Sequence, residues 1–435
     1  MRVAVVGAGI VGVATAHALH EDSHQVTVYE RQSSVATESS FANAGFLAPG
    51  YVTPWAAPGM VRKVLGQFFE RDAAVRLGGW PSAALAAWLW RWWRACDGRI
   101  HLNNRSAMLA LARDSLARKQ ALAKALALDH EQARGVLVLL RGDKEVARAR
   151  PGLKLLADLG LNFHLVDADG CRRIEPALDG NTGLKAGIHL PDAEVGNCRQ
   201  FALQLKAELQ KSGVVFHLQR EVTRLESGAG VLVHARPVAS DSDTAPSGAR
   251  PVQSDAVQTE RFDAVVVCAA LGANALLRPL RLPMLPVYGY SVTLPVRHHE
   301  AHPDMGPRSG LMDERFKVAI TRLGDRLRVA GSAELGGDPK QLNDAAVSTL
   351  YRVLQDWFPS ATRAASAQTW KGARPMLPDG PPAIGESATP GVWVNTGHGS
   401  SGWALACGSA RLVADMIQRR DTAVDPQPFS PMRWQ

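Results

Sequence analysis

The sequence has few cysteines, and none of them stands in a disulfide or metal-binding pattern. Five cysteines are spread over 435 residues without a CxxC spacing: Cys96, Cys171, Cys198, Cys268 and Cys407. Zinc sites and disulfide-stabilised small folds need closely or regularly spaced cysteines. We therefore predict reduced thiols, no disulfide framework and no metal site.

A long apolar segment is also missing. No run approaches the roughly 20 apolar residues that cross a bilayer, and the chain opens on the strand-like segment MRVAVVGAG instead of a secretory signal. These absences predict an intracellular protein, in the cytoplasm or at the cytoplasmic face of the inner membrane. A hydrophobic content of 46% and a charged content of 21% are typical of globular proteins, and the length predicts two domains.

Signatures of nucleic-acid binding are absent despite an excess of positive charge. The formal net charge is +8, but no zinc finger, RRM or helix-turn-helix pattern accompanies it. The charge therefore favours an anionic cofactor or an anionic lipid surface, and we expect no nucleic-acid partner.

A glycine-rich turn is present at the start of the chain. Gly7, Gly9 and Gly12 form GxGxxG between the apolar run 2–6, which predicts a buried parallel strand, and the predicted helix 10–20. In this setting the glycines allow a tight turn, close approach of a pyrophosphate and close packing of the helix. The helix N-terminus then stabilises the anion.

Glu30 extends this pattern. It ends the predicted strand 25–29 and follows Gly12 at the distance typical of dinucleotide-binding units. A carboxylate at this place accepts hydrogen bonds from the ribose hydroxyls and disfavours a 2′-phosphate. The first thirty residues therefore predict an adenine dinucleotide site, without deciding between FAD and NAD.

Three further motifs carry more specific information. Residues 38–45 read ESSFANAG, residues 371–385 read KGARPMLPDGPPAIG, and residues 396–403 read TGHGSSGW after a predicted strand at 392–395. These blocks resemble the D-amino acid oxidase superfamily of FAD enzymes and, within it, the bacterial D-amino acid dehydrogenases. The resemblance spans nearly the whole chain and implies that FAD is the cofactor.

The cofactor contacts follow from the turn and from the resemblance. Small residues between 39 and 45 let a loop press against a flat ring. The turn 396–403, which leads into a predicted helix that runs through Ile417, directs backbone N–H groups toward the electron-rich edge of that ring. Beside Gly7, Gly9, Gly12 and Glu30, the predicted cofactor residues are Ile10, Val11, Arg31, Ser39, Ser40, Asn43, Ala44, Gly45, Val222, Ala270, Gly272, Gly397, His398, Gly399, Ser400, Ser401 and Gly402.

Arg374 is the first candidate at the substrate. The resemblance implies that it holds the substrate carboxylate, for which a planar and permanently charged guanidinium is suited. Tyr288 and Tyr290 stand two residues apart on the predicted strand 287–294, which places both hydroxyls on one face. The other candidates are Tyr51 and His398. Core packing is the alternative for the tyrosines, and a backbone turn or cap for His398.

The motifs predict an α/β fold with two interleaved domains. A Rossmann-like FAD-binding domain combines residues 1–50, 195–282 and 374–435. A discontinuous α+β substrate domain, built on a mostly antiparallel sheet, combines 51–194 and 283–373. Further strands are predicted at 262–270 and 316–322, and the polar stretch 236–260 predicts an exposed loop.

The resemblance implies a reaction in amino acid catabolism. In it, hydride passes from Cα of a D-amino acid to flavin N5, the imino acid is hydrolysed to a 2-oxo acid and ammonia, and the electrons go to a quinone or other acceptor. One alternative is an amine oxidase that acts on glycine, sarcosine or a proline derivative with oxygen. Another is a flavin-bound assembly subunit without activity.

Residues 80–105 combine tryptophan and arginine. The heptapeptide 88–94 reads WLWRWWR, and four apolar side chains share one face of a predicted helix: Leu85, Trp88, Leu89 and Trp92. A helix packed on the substrate domain explains this pattern. A peripheral membrane contact explains it as well, because tryptophan and arginine favour the lipid headgroup region.

Overall fold

The structure is a computed structural model that describes residues 1–67, 73–79, 82–238, 257–297, 305–363 and 366–435. Within these ranges the α-helices are α1 (Ile10–Glu21), α2 (Met60–Gln67), α3 (Ala83–Ala95), α4 (Gly98–Ala125), α5 (Asp143–Asp158), α6 (Ala168–Ile174), α7 (Cys198–Lys211), α8 (Ala273–Leu276), α9 (Asp344–Trp357) and α10 (Gly402–Ile417). The strands are β1 (Arg2–Val6), β2 (Gln25–Tyr29), β3 (Phe46–Leu47), β4 (Val75–Leu77), β5 (Ala133–Leu140), β6 (His164–Asp167), β7 (Ala186–Val195), β8 (Val215–His217), β9 (Arg220–Gly228), β10 (Gly230–Pro237), β11 (Gln258–Phe262), β12 (Ala264–Val267), β13 (Leu285–Pro295), β14 (Gly310–Asp313), β15 (Val318–Leu323), β16 (Arg326–Leu335), β17 (Gln368–Met376), β18 (Ala383–Glu386) and β19 (Val392–Thr396).

A six-stranded sheet surrounds the N-terminal glycine turn. Its strand order is β18-β19-β12-β1-β2-β8, and every neighbouring pair is parallel except β18 with β19. Strand β1 is buried on both faces: Val3 and Val5 pack with α1 and α10, whereas Ala4 and Val6 pack with a three-stranded sheet of β9, β10 and β11. The predicted Rossmann-like α/β architecture is confirmed.

The predicted strand 262–270 is divided in the structure. Its first part belongs to β11 in the three-stranded sheet, and its second part to β12 in the parallel sheet. The break falls at Asp263, whose carboxylate accepts a hydrogen bond from the backbone N–H of Arg2 at 2.7 Å. Asp263 thus links the two sheets at the point where the chain passes from one to the other.

The second large sheet is mostly antiparallel, as predicted. Its order is β17-β13-β16-β15-β14-β5-β7-β3, with β4 beside β16 and β6 beside β7. Parallel pairing occurs between β14 and β5 and between β16 and β4. The strand predicted at 316–322 begins only at Val318, because Lys317 has a φ of 53° in the turn that joins β14 to β15.

Two elements cross the predicted domain boundaries. Strand β3, from segment 1–50, pairs with β7 in the antiparallel sheet. Helix α4, from segment 51–194, packs against α10, and its Met108 and Leu111 share a core with Val5. The two predicted domains therefore share a helical layer, and their boundaries stay a prediction.

The remaining predicted segments are described in part. The predicted loop 236–260 is described only at its ends, where residues 236–237 belong to β10 and residues 258–260 belong to β11. These two strands pair antiparallel. Residues 239–256 lie outside the described residues. Residues 80 and 81 of the tryptophan-rich segment also lie outside them. In the part of the chain that is described, no helix has the length and hydropathy needed to cross a bilayer.

Candidate active site

A cavity of about 750 Å³ is lined by residues of both large sheets. It brings together most of the predicted site residues, although they come from distant parts of the sequence. The predicted residues that line it are Gly9, Ile10, Val11, Ser39, Ser40, Asn43, Ala44, Gly45, Tyr51, Ala270, Tyr290, Arg374, Gly397, His398, Gly399, Ser400, Ser401 and Gly402. Those outside its lining are Gly7, Gly12, Glu30, Arg31, Val222, Gly272 and Tyr288.

The glycine turn packs too closely for side chains. Gly7 has a φ of 101°, and a Cβ atom on Gly12 would lie 1.8 Å from the carbonyl oxygen of Gly7. Helix α1 therefore starts in direct contact with the turn. Its first residue, Ile10, donates its backbone N–H to Ser40 Oγ at 3.1 Å, while Gly9 provides no side-chain cap. In such turns the remaining first-turn N–H groups are the donors that a pyrophosphate accepts from.

Glu30 is fixed beside this turn. Its carboxylate accepts hydrogen bonds from the backbone N–H of Ala8 at 2.7 Å and of Gln32 at 2.9 Å. Burial raises the pKa of Glu30, and the two backbone donors oppose that rise. Its neighbour Arg31 pairs with Glu38 at the surface.

Helix α10 points a second N-terminus at the cavity. Gly397 and Gly399 have φ values of 77° and 56°, which let the chain turn sharply after β19. The helix then begins at Gly402 without a side-chain cap. Its N-terminal N–H groups and partial positive charge lie at the cavity wall formed by residues 399–402.

His398 is held by its own helix. Its Nε2 contacts Ser409 Oγ at 3.0 Å, and this hydroxyl donates to the carbonyl oxygen of Ala406. The Ser409 oxygen therefore accepts, and His398 Nε2 carries the proton. Burial lowers the pKa of His398 to about 3, so the imidazole is neutral near pH 7.

Arg374 projects from β17 into the cavity. Its Nη1 donates to the backbone carbonyl of Ser332 at 2.9 Å, and no carboxylate of the described chain pairs with it. Its guanidinium lies over Gly289, where a Cβ atom would come within 2.2 Å of Nη2. Burial lowers the pKa of Arg374 to about 10, so the side chain is charged at neutral pH.

Tyr288 and Tyr290 lie beside a buried ion pair. Lys371 Nζ lies 4.5 Å from the ring centre of Tyr288 and 5.3 Å from that of Tyr290. Lys371 also pairs with Glu334 at 3.0 Å, and the Tyr290 hydroxyl donates to the same carboxylate. Both tyrosines thus lie near one lysine, but only Tyr290 lines the cavity, and its hydroxyl is engaged by Glu334.

Tyr51 belongs to a group that the sequence did not reveal. Its hydroxyl donates to Glu314 Oε2 at 3.3 Å and accepts from Lys317 Nζ at 3.3 Å, and Lys317 also pairs with Glu314. Burial tends to lower the pKa of Lys317, but Tyr51 and Glu314 raise it more, so the amine is charged. The sequence signal that could have revealed this group was the pair Glu314 and Lys317, an acidic and a basic residue three positions apart at the end of an alternating strand. We call these three residues the Tyr51 cluster.

The match to a known family is extensive. The family model described as "FAD dependent oxidoreductase" matches residues 2–416. The chain belongs to this family. The oxidoreductase is therefore an FAD-dependent enzyme, which confirms the predicted cofactor and the predicted enzyme class.

Relatives and solved structures agree with this assignment. D-amino acid dehydrogenase of Methylobacterium nodulans is 39% identical over 100% of this chain and 99% of its own length. The enzyme of the same name from Allorhizobium ampelinum is 37% identical over 98% and 96%. Glycine oxidase from Geobacillus kaustophilus has a similar fold, with a TM-score of 0.73, 20% identity and coverage of 99% and 98%. At that identity the likeness shows the fold alone.

The residues of the oxidoreductase fit FAD at this cavity. Two helix N-termini without side-chain caps, α1 and α10, meet its lining. The contact between Gly12 and the backbone of Gly7 leaves the turn free of side chains, and the Glu30 carboxylate lies next to it. Anion-binding N–H groups and a ribose-binding carboxylate are the donors and acceptors that a dinucleotide requires.

Beyond the predicted residues, the cavity of the oxidoreductase has two apolar regions. The α5 arm is formed by Leu153, Leu156, Ile188, Leu190 and Met312 and adjoins the Tyr51 cluster. The α3 arm is formed by Met60, Val64, Trp88, Leu89 and Trp92. Of the four residues on the predicted helix face, Leu85, Trp88 and Trp92 are buried in α3 and Leu89 is half-buried.

Proposed function

We propose that this oxidoreductase deaminates D-amino acids oxidatively to 2-oxo acids and ammonia. The observation that carries the proposal is the Arg374 guanidinium, buried and charged without a carboxylate partner in the described chain, in the same cavity as two uncapped helix N-termini. A buried charge without a partner is costly, and a substrate carboxylate supplies that partner. A substrate amine that has no carboxylate would leave the Arg374 guanidinium without a charged partner.

The residues of the chain act mainly by orientation. Arg374 binds the carboxylate, while the carbonyl of Ser332 fixes one side of its guanidinium. FAD, when bound, supplies the oxidant that accepts hydride from the substrate Cα. The N-terminus of α10 offers N–H donors to the charge that develops on reduction. The resulting imino acid is hydrolysed by water to the 2-oxo acid and ammonia.

The D configuration and the acceptor are part of this proposal. The relatives named D-amino acid dehydrogenase support the configuration, and a dehydrogenase passes its electrons to a quinone or other acceptor in place of oxygen. The assignments of the predicted cofactor and substrate residues are proposals in the same sense. The lining of one cavity by most of them supports these assignments.

The experiment is anaerobic reduction of the purified yellow protein. Bleaching of the flavin is followed with D- and L-amino acids, glycine, sarcosine and a proline series, and reoxidation is then measured with oxygen and with a quinone. We expect rapid bleaching by D-amino acids and fast reoxidation by the quinone. Bleaching by glycine or sarcosine alone, with fast reoxidation by oxygen, would favour the amine oxidase alternative.

We also propose a peripheral membrane contact at residues 80–105, with the enzyme in the cytoplasm or at the cytoplasmic face of the inner membrane. The face of α3 that points away from the core exposes Trp90 by 57% and Trp93 by 52%, and Ile100 and Leu102 of α4 are exposed nearby in sequence. Within residues 80–105 the same two helices also carry Arg91, Arg94 and Arg99, whereas Arg105 lines the cavity. Exposed tryptophan with arginine suits an anionic lipid surface.

Vesicle sedimentation tests this contact. The protein is expected to sediment with vesicles of phosphatidylglycerol but not with vesicles of phosphatidylcholine. Trp90→Ala with Trp93→Ala should reduce sedimentation, because both rings are exposed and neither belongs to the buried face. Equal sedimentation of the double variant and the parent protein would exclude this surface.

A further inference from the structure

One face of the antiparallel sheet forms a continuous floor of the cavity. Ala330 on β16 pairs directly with Ala319 on β15, Ala319 with Met312 on β14, Met312 with Val138 on β5, and Val138 with Ile188 on β7. Side chains of directly paired residues lie on the same face of a sheet. All five are buried and line the cavity, so they form one apolar row across five strands.

This row starts close to Arg374. Ala330 lies two residues before Ser332, and the carbonyl of Ser332 accepts a hydrogen bond from Arg374 Nη1 at 2.9 Å. Because neighbouring strands are about 4.8 Å apart, Met312 lies about 10 Å and Ile188 about 19 Å from Ala330 along the row. A substrate whose carboxylate is bound by Arg374 therefore has the first part of the row within reach of its side chain.

The side chains of the row become larger with distance from the arginine. Ala330 and Ala319 carry only a Cβ atom, which leaves space above the sheet for a ligand. Met312 is the first long side chain of the row, and it lines the same cavity. The space above the two alanines is therefore limited at its far end by Met312.

Beyond Met312 the row continues into the α5 arm, whose end is closed. A Cβ atom on Gly50 would lie 3.6 Å from Leu156 Cδ2 and 3.6 Å from Leu190 Cδ2, which is an ordinary contact distance. The backbone at Gly50 thus packs on the apolar end of this arm. On this side of Arg374 the floor is apolar and finite in length.

The charged residues that line the α5 side of the cavity are paired or exposed. Glu314 and Lys317 of the Tyr51 cluster form an ion pair with each other. Arg315 pairs with a carboxylate of α5, and Arg148 is exposed to solvent. A charged substrate side chain would therefore lose water at this floor without gaining a buried partner of opposite charge, which is unfavourable.

We infer that Ala330, Ala319 and Met312 form the binding site of the substrate side chain, and that the preferred substrates are D-amino acids with long apolar side chains. We call these three residues the side-chain floor. The inference rests on the proposed function, because Arg374 must hold the substrate carboxylate. Each methylene group that leaves water for an apolar floor stabilises the complex, so short side chains gain less.

The α3 arm is the competing place for the same side chain. It lies on the other side of Ser332 along β16, where Ala333 packs in one apolar core with Trp88 and Trp92. Ala330 belongs to none of the apolar cores formed by the described residues, so the space above it is open to a ligand. This difference favours the side-chain floor over the α3 arm.

The first measurement needs no turnover. Straight-chain carboxylates from acetate to hexanoate are titrated into the oxidised holoenzyme, and binding is followed by the change in flavin absorbance. Burial of one methylene group corresponds to about fourfold tighter binding, so we expect Kd to fall with each added methylene. The same trend is expected in kcat/KM for flavin reduction from D-alanine to D-norleucine.

Two variants change the length of the side-chain floor in opposite directions. Ala319→Leu fills the space above the sheet and should lower the ratio of kcat/KM for D-norleucine over D-alanine about tenfold or more, the size of two lost methylene contacts. Met312→Ala lengthens the space and should move the optimum to D-2-aminooctanoate, a gain that misfolding cannot produce. The control Leu89→Trp fills the α3 arm instead and should keep the parent ratio.

Three results decide the outcome. Affinity that does not depend on chain length in the parent protein overturns the inference. A preference lost in Leu89→Trp but kept in Ala319→Leu overturns it as well, because the side chain would then occupy the α3 arm. Bleaching of the flavin by no D-amino acid, together with tighter binding of longer carboxylates, would disprove the proposed function and support the side-chain floor.

Discussion

The two halves of the cavity are built from different material. The half proposed to bind the cofactor is built mainly from backbone: the glycine turns that contain Gly9 and Gly397 and the N-termini of α1 and α10. The half proposed to bind the substrate is built from side chains of separate segments, such as Arg374 on β17 and Lys317 in the turn before β15. A backbone site is encoded in a contiguous motif, whereas a side-chain site depends on how strands pair.

A pair of buried arginines sharpens this difference. Arg328 donates to Thr293 Oγ1 at 3.1 Å and to the carbonyl of Asn43 at 3.3 Å, and it does not line the cavity. Arg374 makes one such bond, to Ser332, and lines the cavity. Burial lowers the pKa of both to about 10. The same residue type in the same sheet is therefore structural in one place and free to bind a ligand in the other.

The largest effect is expected in the cofactor half from Gly12→Ala. The added Cβ would overlap the carbonyl of Gly7, a backbone atom that cannot move aside without distorting the turn. We expect loss of most of the bound FAD and a loss of stability of about 1–3 kcal/mol, measured by the flavin-to-protein ratio and by thermal unfolding. The control is Gly66→Ala, where a Cβ meets open space. Full flavin content in Gly12→Ala would contradict the backbone character of this half.

The next effect is expected in the substrate half from Arg374→Lys. Lysine keeps the charge but loses the planar fork, so kcat/KM for amino acids should fall roughly a hundredfold, about 3 kcal/mol, with FAD content unchanged. The matched variant Arg328→Lys should lower stability and leave the preference for carboxylate substrates intact. Unchanged kinetics in Arg374→Lys would remove this residue from the site.

A pH effect is expected where the two halves meet, at His398. Its pKa is about 3 in the folded protein and about 6.5 in the unfolded chain, so only the unfolded state binds a proton between these values. Stability is therefore lost as the pH falls below 6.5, by about 2 kcal/mol at pH 5. In His398→Gln this part of the loss should disappear from urea unfolding curves at pH 7 and pH 5. Equal losses in both proteins would show that His398 ionises freely.

The smallest effect is expected from Glu30→Gln. The amide keeps one acceptor oxygen but turns an NH₂ group toward a backbone N–H of Ala8 or Gln32. We expect roughly tenfold weaker FAD binding, about 1–1.5 kcal/mol, measured by titration of the apoprotein. Glu38→Gln, in an exposed pair with Arg31, is the control and should change little. A parent-like FAD affinity in Glu30→Gln would separate this carboxylate from the cofactor.

The same contrast explains which predictions matched the structure. The sequence indicated the parallel strands, the glycine turn and the mostly antiparallel second sheet, because period, glycine spacing and breakers act over a few residues. It did not reveal the division at Asp263, where one carboxylate joins two sheets. It also missed the roles of Lys317 and Glu314, which line the cavity from the turn between β14 and β15, where Lys317 has a positive φ.

By itself, the sequence determined the dinucleotide turn, the position of Glu30 and the family, because these reside in short segments whose geometry is local. Only the tertiary structure decided which side chains meet around the cavity. It brought the Tyr290 hydroxyl into a hydrogen bond with Glu334 and His398 Nε2 into a hydrogen bond with Ser409 Oγ. In the described chain Arg374 has one partner, the Ser332 carbonyl, and Trp92 Nε1 has none. Hydrogen bonds between residues far apart in sequence depend on strand register and helix packing, which no local pattern encodes.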